Sequence, residues 1–178
     1  MQIKYMKERK RFMELRTAVS PKDVKFYTTQ RLREEFLIQE LFMPDEIKLV
    51  YSHVDRIITG AATPASKTLV LTAGDELRAE YFLQRREMGV INVGGAGVIT
   101  IDGKQYELAY KDGMYIGMGA RDISFSSKDG SNPAKFYINS APAHKAYPTI
   151  LIKPEGEPGE GIVIVKDENK VELGSLEE

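Results

Sequence analysis

Short runs of branched and aromatic residues, separated by turn-forming residues, recur along most of the chain. Such runs are typical of β-strands, because these side chains fit a pleated, half-buried surface. No helical pattern interrupts them, and turn signals recur about every 8 to 12 residues, which indicates a sandwich or barrel rather than an α/β fold. We therefore predict an all-β jelly-roll barrel. Its strands are expected at residues 47–51, 56–59, 68–71, 80–83, 98–101, 104–108, 114–116, 122–125 and 135–138.

Two local signals define the ends of elements. Asp102 and Gly103 lie between two of the runs and predict a tight hairpin, because this dipeptide readily adopts the positive φ angles of a type I′ turn. Near the start, Thr28 or Thr29 can cap a short helix that continues through Glu35, since a threonine hydroxyl accepts a hydrogen bond from an N–H of the first turn. The barrel is thus expected to follow a short N-terminal helix and an arm.

The composition divides the chain into three parts. Residues 1–27 are predicted to form an N-terminal arm, residues 28–150 the barrel, and residues 151–178 a linker with a small hairpin. Proline, glycine and charged residues dominate residues 153–161, a composition typical of linkers. The hairpin would pair residues 162–165 with residues 170–173.

Charge and cysteine content exclude several classes of function. The chain has 25 basic and 26 acidic residues, so no overall field attracts nucleic acid or an anionic membrane. The six basic residues within residues 1–16 are interpreted as a solvated tail or a short amphipathic helix rather than as a nucleic-acid-binding arm. The absence of cysteine removes thiol nucleophiles and thiolate metal sites. No secretory segment and no apolar run of about 20 residues is present, and we expect a cytoplasmic protein.

The segment from Arg86 to Ile101 resembles the first characteristic segment of a cupin barrel. In a metal-binding cupin, two His separated by one residue precede a Glu, and a Gly follows that Glu after six residues. Glu87 and Gly94 keep this last spacing. The positions of the two His are occupied by residues that cannot supply imidazole: Tyr81 and Leu83, or Glu80 and Phe82 with a longer gap. Residues 112–122 resemble the second characteristic segment of a cupin, and Asp122 stands there in place of a His ligand. We therefore expect a metal-free barrel.

Three glycines at positions 94, 95 and 97 suggest a nucleotide-binding loop at first sight. Such a loop needs a third glycine at the position of Thr100 and a helix whose N-terminus faces the phosphate. A predicted strand follows instead. We interpret these glycines as parts of tight turns whose backbone angles only glycine tolerates.

The two histidines of the chain, His53 and His144, lie in different segments with no third ligand at metal-binding spacing. His53 is the candidate catalytic acid or base. The alternative is a hydrogen-bonded structural residue that Asp55 orients.

Arg56 and Arg86 are candidates for binding the carboxylate of a substrate, because a guanidinium group binds carboxylate in a bidentate manner. Alternation along a strand directs only one of Arg85 and Arg86 inward. The alternative is a structural ion pair of the inward arginine with Glu87 or Asp55.

Longer stretches resemble one family, the 5-keto-4-deoxyuronate isomerases, also called 4-deoxy-L-threo-5-hexosulose-uronate ketol-isomerases. The similarity is to the N-terminal half of that family and covers nearly everything from about Met13 onward. It is carried by residues 32–37, 50–58, 81–97, 133–137 and 141–144.

The resemblance implies a hexameric enzyme of two tandem cupin domains, with zinc held by three His and one Glu of the C-terminal domain. It implies interconversion of 5-dehydro-4-deoxy-D-glucuronate and 3-deoxy-D-glycero-2,5-hexodiulosonate in pectin and uronate breakdown. This chain alone would be scaffold without the zinc site. The alternative is a stand-alone metal-free cupin module that binds sugar acids or mediates oligomerisation.

Overall fold

Alternation of buried and exposed positions along the strands produces two facing β-sheets. The computed structural model describes residues 12–154, together with the backbone of residues 164–166 and 169–171. Its elements are β1 Glu14–Arg16, α1 Pro21–Val24, α2 Thr29–Phe36, β2 Ile47–Ser52, β3 Ile58–Ala62, β4 Leu69–Val70, β5 Arg86–Asn92, β6 Gly97–Ile101, β7 Lys104–Leu108, β8 Gly113–Ile116, β9 Ile123–Ser127, β10 Phe136–Pro142, β11 Ile150–Ile152, β12 Ile164–Lys166 and β13 Asn169–Val171.

The larger sheet has seven strands in the order β1-β2-β3-β10-β5-β8-β11, and the smaller sheet has four in the order β4-β9-β6-β7. All neighbours in the two sheets are antiparallel except β1 and β2. Strands that are neighbours in a sheet are often distant along the chain, as in a jelly roll. The predicted all-β jelly-roll fold is confirmed.

The core lies between the two sheets and is almost entirely apolar. Inward residues of β5 and β10 alternate with outward ones, so every second side chain enters the core. Phe125 of the smaller sheet packs against Phe136 of the larger, with ring centroids 5.4 Å apart. The same interior contains Leu49, Ile58, Met88, Val90, Ile99, Leu108, Met114, Ile116, Ile123 and Ile138, all at most 2 % exposed. The space between the two sheets is thus filled with hydrocarbon.

Asn92 is the main polar residue of this core. It is fully buried, and its side-chain Nδ2 donates to the carbonyls of Gly95, Leu108 and Ala109 at 2.8, 3.0 and 3.1 Å. Its Oδ1 accepts from the N–H groups of Gly94 and Lys135 at 3.1 and 3.2 Å. One side chain therefore hydrogen-bonds five backbone groups from three separate segments of the chain.

Both local predictions of element ends are confirmed. Asp102 and Gly103 have φ angles of 48° and 83°, and Ile101 pairs with Lys104 across the turn. The hydroxyl of Thr28 accepts from the N–H of Arg31 at 3.3 Å, which caps α2.

The strand predicted at residues 80–83 is wrong. These residues form turns and bends, closed in part by the N–H of Gln84 donating to the carbonyl of Tyr81 at 3.3 Å. Phe82 and Leu83 are both buried although they are neighbours, whereas consecutive strand residues would point to opposite faces. The apolar run is therefore an irregular loop that packs into the core.

The regions flanking the barrel are only partly described. β1 pairs with β2, and Met13 beside it is 2 % exposed, so the described end of the arm adds to the barrel. β12 and β13 form the predicted C-terminal hairpin, with Ile164 opposite Val171. Residues 1–11 and most of the predicted linker, residues 155–161, lie outside the described part. The three-part division of the chain stays a prediction. Within the described residues, no helix is long and apolar enough to cross a membrane.

Candidate functional site

One end of the larger sheet holds a cavity of about 240 Å³. It lies where the β2–β3 turn, the start of β5 and the end of β10 meet the loop that precedes β5. We call it the arginine cavity, because three of its lining residues are arginines. It is lined by Tyr51, Arg56, Glu76, Leu77, Ala79, Phe82, Arg85, Arg86 and Pro142.

Arg86 is the inward member of the predicted arginine pair, whereas Arg85 is exposed. Arg86 is only 6 % exposed, and its Nε donates to the hydroxyl of Ser140 at 3.1 Å. Its Nη2 donates to the carbonyls of Ser140 at 2.8 Å and of Arg56 at 2.6 Å. Among the described residues nothing accepts a hydrogen bond from Nη1, so this end of the guanidinium remains available in the cavity.

The predicted ion pair of Arg86 with Glu87 or Asp55 is wrong, because no described carboxylate lies within 4 Å of its guanidinium. Glu87 follows Arg86 in the strand and therefore points to the opposite face. Burial lowers the pKa of Arg86, the Tyr51 phenol opposes this, and the positive charge of Arg56 lowers it further. A buried cation without a counter-charge is costly, so this cavity favours an anion.

Arg56 lies at a strained position of the turn between β2 and β3. Asp55 and Arg56 have φ angles of 53° and 55°, and the N–H of Ile57 donates to the carbonyl of Val54 at 3.4 Å. This is a type I′ geometry, in which glycine is strongly preferred. The strand predicted from residue 56 therefore begins only at Ile58. The strained turn places the Arg56 carbonyl on Arg86 and its side chain on the cavity wall.

We expect Arg56→Gly to be more stable than Arg56→Ala by about 1 kcal/mol. Both variants lose the guanidinium, but only glycine relieves the left-handed backbone, and part of that gain is offset by the greater flexibility of glycine in the unfolded chain. Urea unfolding of the two variants measures the difference. A glycine variant that is the less stable of the two would show that the turn is not strained.

Glu76 is the residue of the cavity that sequence reasoning missed. Its Oε2 is buried and has no hydrogen-bond partner among the described residues. The loop that carries it is fastened by Arg85, whose Nη2 donates to the carbonyls of Leu77 and Arg78 at 3.1 and 3.0 Å. A carboxylate in a polar loop gives no sequence signal for burial, because most such groups are solvated.

His53 is exposed on the loop after β2, outside the lining of the arginine cavity. Its ring meets Tyr51 edge-on, with centroids 5.2 Å apart. The expected orientation by Asp55 is wrong, because no hydrogen bond joins the two side chains. The catalytic role of His53 stays a prediction. His144 is also exposed, with its ring 6.4 Å from that of Tyr147.

The positions compared with cupin metal ligands do not converge. Tyr81 lies under the guanidinium of Arg121 at 4.5 Å, Leu83 is in the core, and Asp122 is exposed. In the described part of the chain no three His, Cys, Asp or Glu residues are grouped as a metal site would require. The residues present therefore do not fit the zinc that the family resemblance implies.

Glu87 has a partner on the outer face of the larger sheet. The Tyr115 hydroxyl donates to Oε2 of Glu87 at 2.8 Å. Burial, reinforced by this bond and by the negative charge of Glu87, raises the pKa of Tyr115 well above its ordinary value. The spacing of Glu87 and Gly94 thus does not place this carboxylate in the barrel interior.

We expect Tyr115 to make the protein less stable in alkali. Its raised folded-state pKa means that, above about pH 10, the unfolded chain loses this proton while the folded chain keeps it, so stability falls as pH rises. The slope stays below about 1.4 kcal/mol per pH unit, since the two states differ by at most one bound proton at this residue. Urea unfolding between pH 8 and 11 should show a weaker decline for Tyr115→Phe, and equal declines would contradict the assignment.

The interpretation of the three glycines as residues with special backbone angles is wrong. None of Gly94, Gly95 and Gly97 has a positive φ angle. They are instead sites of close approach: a Cβ on Gly94 would lie 2.5 Å from the backbone nitrogen of Lys135, and one on Gly95 would overlap the carbonyl oxygen of Asn132. Glycine is needed here for space, and no phosphate site is required to explain it.

Comparison with known proteins gives the family. The model of the KduI/IolB family matches residues 36–160. The chain belongs to this family. It is 72 % identical over 165 residues to the 4-deoxy-L-threo-5-hexosulose-uronate ketol-isomerase of Lachnoclostridium phytofermentans, and 55 % identical over 165 residues to that of Lachnospira eligens. Each match covers 93 % of this chain and 56 % of the relative, so the chain spans about half the length of these curated relatives.

Solved cupin structures resemble the chain more distantly. A cupin protein from Bacteroides fragilis has a TM-score of 0.38 and 20 % identity, covering 50 % of this chain and 68 % of that protein. The Cnp3 cupin domain of Schizosaccharomyces pombe has a TM-score of 0.42 and 11 % identity, covering 55 % and 64 %. The family resemblance predicted from the sequence is confirmed by the family model and by the curated relatives.

Proposed function

We propose that this chain is the metal-free N-terminal half of a ketol-isomerase. The enzyme would interconvert 5-dehydro-4-deoxy-D-glucuronate and 3-deoxy-D-glycero-2,5-hexodiulosonate in pectin and uronate breakdown. The observation that carries the proposal is 72 % identity to a named ketol-isomerase of which the chain covers 56 %. The apolar barrel interior supports a scaffold role for this half.

Under this proposal the zinc site belongs to a C-terminal cupin domain with three His and one Glu. The reaction moves a proton between adjacent carbons through an enediol, an acid–base step that needs a positioned proton carrier. Among the described residues there is no metal site beside which an acid or base could act as this proton carrier. The whole enzyme is proposed to be a cytoplasmic homohexamer. This half would contribute contacts between subunits and would support the second barrel.

The test is an isomerase assay on purified residues 1–178 supplied with zinc. The chain should give no interconversion of the ketouronate above the buffer rate, whereas the Lachnoclostridium phytofermentans relative, assayed in parallel, should turn it over. Turnover by the isolated chain, free of full-length enzyme, would contradict the proposal.

A second candidate function is a metal-free module that binds sugar acids or mediates oligomerisation. The buried and uncompensated charge of Arg86 favours the binding role, because an anion would supply the missing counter-charge. Calorimetric titration with D-galacturonate tests it: saturable binding that Arg56→Ala weakens supports the module. Absence of heat at millimolar ligand contradicts the binding role.

A further inference from the structure

We infer that the hairpin of β12 and β13 packs against the exposed outer face of β5, β8 and β11. This part of the larger sheet, which we call the bare face, consists of two rows of paired residues: Ile91, Gly113 and Ile152, and beside them Gly89, Tyr115 and Ile150. The inference concerns neither the arginine cavity nor the isomerase reaction. It assigns an intramolecular partner to a surface that both proposals leave unused.

The bare face is apolar, although an antiparallel sheet normally presents polar residues to water. Ile91, Ile150 and Ile152 are 48, 43 and 53 % exposed. They point away from the interior, because alternate residues of the same strands contact the core. Gly113 lies between Ile91 and Ile152 and has no side chain, so the face contains a shallow trough. A contiguous apolar surface of this kind indicates a contact site.

The other half of the same outer face is covered by the chain itself. Val50 of β2 and Ala61 of β3 lie outside the core cluster, yet they are only 4 % and 0 % exposed. The segment before β2 is held on this side by Lys48, whose Nζ donates to the carbonyl of Gln39. Among the described residues, the half beside β11 has no such cover.

The hairpin needs an apolar partner as well. β12 and β13 form a two-stranded sheet of their own, in which Ile164 is opposite Val171. Cross-strand partners share a face, and the sequence continues this face with Ile162 and Leu173. A two-stranded hairpin alone is only marginally stable in water, and packing against a further layer stabilises it. The hairpin and the bare face are therefore matched as two apolar sheet surfaces.

The connection between the two surfaces is short. Ile152 belongs to the bare face, and the chain from there to Ile164 spans at most about 40 Å when it is fully extended. Three neighbouring strands are only about 10–15 Å wide, so the hairpin can reach every part of the face. A short tether also gives the hairpin a high effective concentration at this surface.

The charges at this end of the sheet agree with the proposed path. Lys111, Lys135 and Lys153 are exposed there, and no carboxylate of the described chain lies within 4 Å of their ammonium groups. The tether carries three glutamates within residues 155–160. Opposite charges thus favour the approach of the tether to this end of the face.

The test measures paramagnetic broadening in the full chain. The chain has no cysteine, so Asp167→Cys accepts a nitroxide label at a single position, between β12 and β13 in the sequence. ¹H–¹⁵N spectra before and after reduction of the nitroxide identify the broadened amides. We expect a strong loss of intensity at Gly89, Ile91 and Gly113, and a much smaller loss in β1 at the opposite edge of the larger sheet. Unbroadened amides in the bare face would overturn the inference.

A mixed sample separates the hairpin of the same chain from that of a second copy. In this sample the ¹⁵N-labelled chain carries no nitroxide, and the nitroxide-labelled chain carries no ¹⁵N. We expect the amides of the bare face to keep their intensity. Broadening as strong as in the singly labelled chain would assign the face to a second copy and contradict the inference.

Variants of the bare face test the apolar contact. Ile91→Ser combined with Ile152→Ser should lower the docking equilibrium about a hundred-fold, because each isoleucine loses the apolar area that docking would bury. The Gly89 and Gly113 amides should then recover their intensity. Val70→Ser is the matched control, since Val70 is 62 % exposed on β4 of the smaller sheet, and broadening should persist in this variant.

Equal broadening in the parent and in the double variant would show that these isoleucines do not hold the hairpin. Thermal melts verify the fold of each protein. If the serine variant is unfolded, Ile91→Thr with Ile152→Thr replaces it, because threonine keeps the branched shape that strands favour.

Discussion

Asn92→Asp should lower the free energy of unfolding by about 4 kcal/mol at neutral pH. The substitution preserves the shape of the side chain but removes the donors that reach the carbonyls of Gly95, Leu108 and Ala109. Each buried group left unpaired costs about 1–3 kcal/mol, and a buried carboxylate facing carbonyl oxygens adds repulsion. Urea unfolding monitored by circular dichroism measures the loss.

The matched control is Asn139→Asp. Asn139 is exposed on the outer face of β10, and its variant should stay within about 0.5 kcal/mol of the parent. Part of the loss in Asn92→Asp should be recovered as pH falls, because protonation of the new carboxyl restores one donor and removes the charge. Equal stability of both variants at pH 7 would show that the buried network is not a major support of the barrel.

Gly97→Ala should cost about 3 kcal/mol through steric overlap alone. A Cβ at this position would lie 2.5 Å from Cβ of Ala134 and 2.6 Å from Cζ of Phe136, with the Ser126 carbonyl oxygen at 2.8 Å. The backbone of Gly97 lies outside the left-handed region, so a side chain meets no conformational penalty there. Thermal and urea unfolding give the magnitude.

Substitutions at two other glycines distinguish the cost of steric overlap from the cost of an unfavourable backbone angle. Gly103 has open space around it but a φ of 83°, so Gly103→Ala should cost only about 1 kcal/mol. Gly89 lies in mid-strand with its nearest neighbour 3.9 Å away and no positive φ, so Gly89→Ala should be neutral or slightly stabilising. A Gly97→Ala variant no worse than Gly89→Ala would contradict the packing described here.

Local signals in the sequence correctly predicted those features whose geometry depends only on neighbouring residues. The Asp102-Gly103 turn and the Thr28 cap depend on residues within a few positions, and both were predicted correctly. β1, β5 and β11 were not predicted, since charged residues and glycine interrupt the apolar pattern of β5 and the other two are only three residues long. The apolar residues 80–83 satisfy the pattern of a strand, yet tertiary packing made them a buried loop.

The candidate site was predictable only in part, because its partners are distant in sequence. Alternation correctly placed one arginine of the pair inside, and Arg56 and Arg86 do line one cavity. That Arg86 bonds Ser140, 54 residues away, rather than a carboxylate depends on the register of β5 with β10. The burial of the Glu76 oxygen likewise follows from how its loop closes against the barrel.

The central claim is that ligand chemistry in this barrel resides in the arginine cavity and not in the apolar interior. It is tested most directly by ¹H–¹⁵N spectra of the arginine side chains during titration with D-galacturonate. The Nε–H of Arg86, held by the Ser140 hydroxyl, should shift saturably together with that of Arg56, while Arg33 in α2 stays unchanged. An unchanged Arg86 signal at millimolar ligand, or shifts confined to residues outside the cavity, would contradict the account.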